Sequence, residues 1–252
     1  MAPARIFLTA AVVAALSLVS GGSGSGRAES VPADTAVVVE RYVYLASPEH
    51  ADSGSEETHT VTITSTSAGA AYAFEIRLGA GLVDRGVIET TDTGAFVTAT
   101  RRRYGRDGLI YESDSLRVEG TTLVMETRRD GETKISRAEC PHDRPVAADA
   151  SLLLWMRRFP FGDANARDVL MADWSHRTVD VDVRDRGIET IAVPAGTFAC
   201  HRMEVTVRVL VFRPRITFWI TVDAPHVLVQ HRGKRGPFTP VFETRLVRME
   251  TQ

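Results

Sequence analysis

The sequence predicts a mainly β protein: a curved antiparallel meander sheet, clam or half-barrel like, wrapped around one central α-helix. Three observations predict it. Apolar and polar residues alternate in stretch after stretch, the period of a half-buried strand. Asp-Gly pairs separate some of these stretches, where a tight hairpin needs positive φ. One stretch only, Asp149 to Phe161 (DASLLLWMRRFPF), carries a convincing helical spacing.

In chain order, Ala36 to Leu45 reads as a first strand, followed by an acidic loop with Pro48 and Gly54. Thr58 to Thr66 places threonines outward and Val61 and Ile63 inward. Tyr72, Phe74, Ile76 and Leu78 alternate with Ala73, Glu75 and Arg77, the clearest strand of the N-terminal half. Leu82–Thr90 and Ala95–Tyr104 continue the pattern. Asp107-Gly108 then turns the chain into Leu109–Ser115, and Asp130-Gly131 joins Leu123–Arg128 to Thr133–Arg137. Such meander connections make the sheet antiparallel. No βαβ spacing and no glycine-rich phosphate loop after a strand occurs.

Cys140-Pro141 to Val146 breaks the sheet and leads into the expected helix, near 149–159. Leu152, Trp155, Met156 and Phe159 fall at i, i+3, i+4, i+7. Asp149 or Ser151 can cap its start, Arg157 and Arg158 suit its last turn, and Pro160 stops it. Leu153 and Leu154 widen the apolar stripe, so the helix must be covered, and sheet is the available cover. Beyond it, strands are expected at Val169–Ala172, Thr178–Arg184, Ile188–Val193, Thr197–Phe212, Arg215–Val222, Val227–Arg232 and Val241–Met249, with Pro194-Ala195-Gly196 as a turn. That gives about five or six strands on each side of the helix. Neither half has another layer to pack on, so 29–252 is read as a single domain.

At 252 residues, with 44% apolar and 25% charged side chains, there is ample material for a core. Met1–Arg5, the apolar run Ile6–Val19 and the small residues of Ser20–Ala28 follow the order of a secretory signal. Residues 1–28 are therefore expected to be a signal peptide, cleaved after Ala28. The run is short for a span of roughly 20 residues, and no Cys lies near the cleavage site to take a lipid. A periplasmic or extracellular address follows, with a protein soluble after signal removal. Removing Arg5 and Arg27 lowers Lys+Arg from 30 to 28 against 32 acids, which argues against nucleic acid as a partner.

Three pieces of the C-terminal half, DASLLLWMRRFPF, IETIAVPAGTFACHRMEV and ITFWITVDAPHVLVQHRG, occur in that order. From about Asp149 onward the chain resembles the exported bacterial proteins of the domain of unknown function 3108 family. The resemblance implies a β-rich periplasmic domain akin to the clam-like sheets of lipoprotein carriers. It supplies no activity and no catalytic residues.

Several residue groups carry candidate chemistry. Cys140 and Cys200 are the only cysteines, and in an oxidising compartment they are a candidate disulfide; two separate thiols are the alternative. Cys140, His142, Cys200 and His201 suit zinc by type, but adjacent strand residues point to opposite faces, so no metal is expected. Asp180 and Asp182, with Asp173, His176 and Asp185 nearby, could hold calcium or act as acid and base. Their alternation with Val179, Val181 and Val183 reads more simply as a solvated face. Arg101, Arg102, Arg103 and Arg106 form a basic cluster, and Arg232, Lys234 and Arg235 a second. Either is a solvated hairpin tip or a contact for anionic lipid or glycan. His226 and His231 are expected at the surface. G-x-S-x-G, H-E-x-x-H and a papain-like Cys segment are absent, so no catalytic residue and no cofactor are assigned and an enzyme is not expected.

The groove between helix and sheet is the remaining candidate site. Phe74, Ile76, Trp155, Met156, Phe159, Phe218 and Ile220 would line it. If the sheet closes they are core; if it stays open they line an apolar pocket for acyl chains. The expected function is a non-enzymatic binding or envelope-maintenance protein with a lipid or other hydrophobic ligand. The alternatives are an interaction module with an envelope protein partner, and a hydrolase whose acids and histidines only folding brings together.

Overall fold

The computed structural model describes residues 36–48, 54–79, 81–140, 144–148, 152–162, 165–208, 213–234 and 240–251, and the statements below concern these. The expected signal peptide lies outside them, as do Asp149, Ser151, Pro141 and His142.

Alternating sequence becomes alternating burial. The first eight strands take the order of the meander: β1 (Ala36–Pro48), β2 (Ser55–Thr66), β3 (Gly69–Leu78), β4 (Val83–Thr91), β5 (Phe96–Tyr104), β6 (Ile110–Glu119), β7 (Thr122–Arg129) and β8 (Glu132–Glu139). Each pairs antiparallel with the next. In β3, Tyr72, Phe74 and Ile76 are buried, as their spacing predicted. At the β7–β8 hairpin Asp130 (φ 52°) and Gly131 (φ 81°) are both left-handed, the geometry that makes Asp-Gly the residue pair of choice for a two-residue turn.

A short strand that the sequence reading did not contain, β9 (Val146–Ala148), precedes helix α1 (Leu152–Met156). Six more strands follow: β10 (Ala166–Ala172), β11 (Thr178–Val193), β12 (Gly196–Arg208), β13 (Arg215–Thr221), β14 (Leu228–Lys234) and β15 (Val241–Thr251). The two strands expected at 178–184 and 188–193 are one, with an irregularity between Asp185 and Ile188. All fifteen strands belong to one sheet, in the order β8-β7-β6-β5-β4-β3-β2-β1-β15-β14-β13-β12-β11-β10-β9. The pairing is antiparallel except for β9 with β10. The chain therefore leaves the centre at β1, reaches one end at β8, crosses to the opposite end at β9, and returns to the centre, where β15 pairs with β1.

A sheet this long exposes an apolar face unless it folds back on itself. Here β9 packs against β5. Phe74, Ile88, Leu116 and Met125 of the first eight strands share one core with Val169, Val181, Met203 and Val205 of the last six. This corrects the expected architecture. The protein is mainly β and antiparallel, but the sheet is not wrapped around a central helix. Its two halves pack on each other, and the helix is a five-residue plug in the connection between them. It tightens at its end, where Arg158 N–H donates to Trp155 O and Phe159 N–H to Met156 O, and Pro160 cannot continue it. Leu152, Leu153, Leu154, Met156 and Phe159 are buried in the common core. An interior this dry can take a helix that is apolar all round.

The halves are also tied by polar contacts. Arg157 donates to Glu40 at 2.7 Å and to the Tyr42 hydroxyl at 3.1 Å, with the Glu40 side chain only 1% exposed. Burial pushes the Tyr42 phenol well above its ordinary pKa, so it stays protonated. Across the core Tyr44 donates its hydroxyl to the Leu228 carbonyl at 3.1 Å.

Candidate functional site

The groove expected between helix and sheet is filled for most of its length. Phe74, Met156, Phe159, Phe218 and Ile220 belong to the continuous core, and Ile76 is 3% exposed. Trp155 is the exception: only partly buried, it packs on the core and meets Phe159 edge-on at 5.9 Å between ring centroids. Beside it lies a cleft of about 400 Å³ between the helix and the turn ends of β4–β5, β6–β7 and β8. Its apolar wall is Trp155, Phe96, Val118, Cys140, Pro145 and Val146.

Two arginines border the cleft, and they differ. Arg144 is paired with Asp180 at 2.8 Å. Arg158 is exposed, donates to the Tyr72 hydroxyl at 2.9 Å, and has no carboxylate partner among the described residues. Gly94, left-handed at φ 82°, makes its position available, because a Cβ there would collide with the Arg158 guanidinium. The arrangement is an apolar recess with one uncompensated cation at its edge. Its chemistry suits a small apolar body ending in an anion.

A second, larger concavity of about 690 Å³ lies on the outer face of β3–β7, over Ala73, Val87, Thr100, Ser113 and Ser115. It is a broad open trough, and two of its arginines are already paired, Arg85 with Glu75 at 2.7 Å and Arg128 with Glu126 at 2.8 Å. Its floor is mostly small and polar side chains, with Phe74 and Tyr104 among the lining.

The other sequence candidates separate. Cys140 packs in the main core and Cys200 in a small separate cluster with Trp219 and Val229; both are free thiols, so the expected disulfide is not made. Burial pushes the Cys200 thiol up to about 11. Among the described residues no three His, Cys, Asp or Glu side chains group as a metal site. The aspartates of 173–185 do not act together: Asp180 pairs with Arg144, Asp182 with Arg184, Asp173 with Arg177 and Asp185 with His201. Of the two later histidines expected at the surface, His226 is half-buried and His231 is buried. His231 is buried against Phe218, and Phe161 stacks on His201 at 3.8 Å with His226 beside it.

The basic cluster at 101–103 is divided by strand alternation. Arg101 and Arg103 face inward, where the sequence reading expected solvent. Arg101 is 4% exposed; it grips Asp114 through Nε at 2.9 Å and a terminal nitrogen at 2.7 Å, and reaches Glu112 at 3.0 Å. Arg103 bonds Glu112 at 3.2 Å. The turn Asp173–Arg177, between β10 and β11, covers this network from the other half of the sheet. Its Trp174 ring lies 4.7 Å from the Arg101 guanidinium carbon, and its His176 bonds Thr127 and Ser136. Trp174, Thr127 and Ser136 were not singled out from sequence.

No family model matches the chain, and no curated protein matches it. Two solved structures are similar in part. One is a "putative lipoprotein" from Parabacteroides distasonis ATCC 8503, 12% identical, covering 84% of this chain and 94% of that one, with a TM-score of 0.34. The other is a "putative exported protein with YmcC-like fold" from Bacteroides fragilis NCTC 9343, 10% identical, covering 85% and 95%, with a TM-score of 0.36. At these scores neither carries an argument about this chain. No helix among the described residues is long and apolar enough to cross a membrane.

Proposed function

We propose that this is an exported envelope protein that binds a small amphiphile, with its apolar part against Trp155, Phe96 and Val146 and its anionic end at Arg158. The carrying observation is the uncompensated Arg158 at the edge of an apolar cleft. A carboxylate or phosphate there would gain a charge-assisted hydrogen bond that no carboxylate among the described residues supplies. The signal-like residues 1–28 support the address, and the resemblance to the domain of unknown function 3108 family agrees with it. Calorimetric titration of the mature protein with decanoate tests the reading. Saturable binding at one site, weakened in Arg158→Gln, is expected; no saturable heat with either decanoate or decyl phosphate would reject it.

The interaction-module reading has its own observation. Leu109 and Ile110 are 68% and 50% exposed at the β5–β6 turn. A photo-crosslinker placed at Leu109 in cells should then capture one defined envelope protein, and capture of none would remove this alternative.

A further inference from the structure

We infer that Ser136 is an activated nucleophile, held for attack on carboxylic esters by a hydrogen-bond relay through His176 and Thr127 to Asp114. This goes beyond the binding reading and stands on different residues.

The relay crosses from one half of the sheet to the other. Ser136 Oγ lies 2.8 Å from His176 Nδ1. His176 Nε2 lies 2.9 Å from Thr127 Oγ1. The Thr127 hydroxyl donates to Asp114 Oδ1 at 2.5 Å, and Asp114 Oδ2 is held by Arg101. The direction of every proton follows. The Asp114 carboxylate, gripped by the Arg101 guanidinium, accepts. Thr127 therefore spends its single proton on Asp114 and must accept from His176. The neutral imidazole then carries its proton on Nε2 and offers a lone pair at Nδ1, so the Ser136 hydroxyl donates to it. That is the order of nucleophile, base and orienting group that activates a serine, with a threonine inserted before the acid.

The surroundings favour the same role. Burial lowers the pKa of His176; Lys134 of β8 adds to this, while Asp114 of β6 and Asp173 of its own turn oppose it. The imidazole is thus unprotonated at neutral pH and free to take a proton. His176 sits at φ 68°, a conformation costly for a side chain of its size, and its N–H donates to Asp173 O. Asp173 fixes the turn by accepting from the Ser175 and Arg177 N–H groups at 2.9 and 3.0 Å. Ser136 is half-buried on β8, the terminal strand of the sheet, whose outer edge has no neighbouring strand among the described residues. Lys134 lies two residues before it, on the same face of the strand, and provides a positive charge for a developing oxyanion.

In the reaction, Ser136 Oγ bonds to the ester carbonyl carbon as His176 Nδ1 takes the hydroxyl proton. The carbon–oxygen bond to the alcohol breaks, and that proton leaves with the alcohol. Water repeats the sequence to release the acid and restore the serine. Thr127 and Asp114 are positioning residues, since they touch neither substrate nor nucleophile.

The test is labelling of the mature protein with a fluorophosphonate, which forms an Oγ–P bond and releases HF, followed by peptide mass spectrometry. We expect one adduct on Ser136, absent in Ser136→Ala and slowed roughly a hundredfold in His176→Gln. Thr127→Val should slow labelling and Thr127→Ser should restore it, which a packing role alone would not do. Thermal melts establish that each variant is folded. If His176→Gln does not fold, the labelling rate of the native protein against pH decides: it should fall as His176 protonates below neutrality. No adduct on Ser136 at excess probe, or a rate indifferent to both pH and Thr127→Val, would overturn the proposal.

Discussion

Two tryptophans sit where the halves of the sheet meet, each beside an arginine, and they do opposite things. Trp174 is buried over Arg101, whose guanidinium is satisfied by Asp114 and Glu112. Trp155 is partly exposed at a cleft whose Arg158 has, among the described residues, a tyrosine hydroxyl and no carboxylate for partner. The difference is the carboxylates. A buried cation with two anions at hydrogen-bond distance is part of the fastening between the halves. A cation at an apolar edge with none is available to something outside the chain.

The sharpest way to break this contrast is Arg101→Met. It leaves Asp114 buried without its cation, while Glu112 keeps Arg103 at 3.2 Å, and an uncompensated buried charge costs about 3–5 kcal/mol. Against a usual stability of about 5–15 kcal/mol, urea denaturation should show the midpoint collapsing or no folded baseline at all. Arg158→Gln should do the reverse. Its unfolding free energy in urea should stay within about 0.5 kcal/mol of the parent, as for an exposed substitution, while decanoate affinity drops about tenfold, or about 1.4 kcal/mol.

A smaller effect should come from pH. The folded pKa of His176 is depressed below the unfolded value of about 6.5. Between the two, the unfolded chain binds more protons, so stability rises with pH there. The contribution is complete above the unfolded pKa and is lost as pH falls through it toward the folded one. Urea midpoints between pH 5 and 7.5 should slope in the native protein more than in His176→Gln. The smallest effect concerns the cysteines. With both thiols free and the Cys200 pKa pushed up to about 11, dithiothreitol should leave the melting temperature unchanged. Iodoacetamide should label Cys200 only after urea is added.

Much of the fold was legible because strand burial has a period of two, and the period is local. Tyr72, Phe74 and Ile76 announced β3, and Asp130-Gly131 announced its hairpin. The helix was overread for a related reason. Leu152 to Phe159 has helical spacing, but a segment buried on all sides needs no single face, and the connection ends the helix at Met156. The site was less legible. Trp155 was expected at the cleft, whereas Arg158 was read only as a last-turn residue. Arg101 and Arg103 looked like a solvated tip because their partners, Asp84, Glu112 and Asp114, lie on neighbouring strands. The turn DWSHR could have drawn attention, since a tryptophan in a polar hairpin loop needs something to cover it.

By itself the sequence determined the β class, the direction of pairing, most strand limits and an export-like N-terminus, since each is set by neighbours in the chain. Only the tertiary structure decided that the sheet folds on its own inner face, that the cysteines stay apart, and that Asp114, Thr127, His176 and Ser136 form one line. Those outcomes depend on which residues of distant strands meet at about 3 Å, the reach of a hydrogen bond, and alternation along a strand carries no information about its partner.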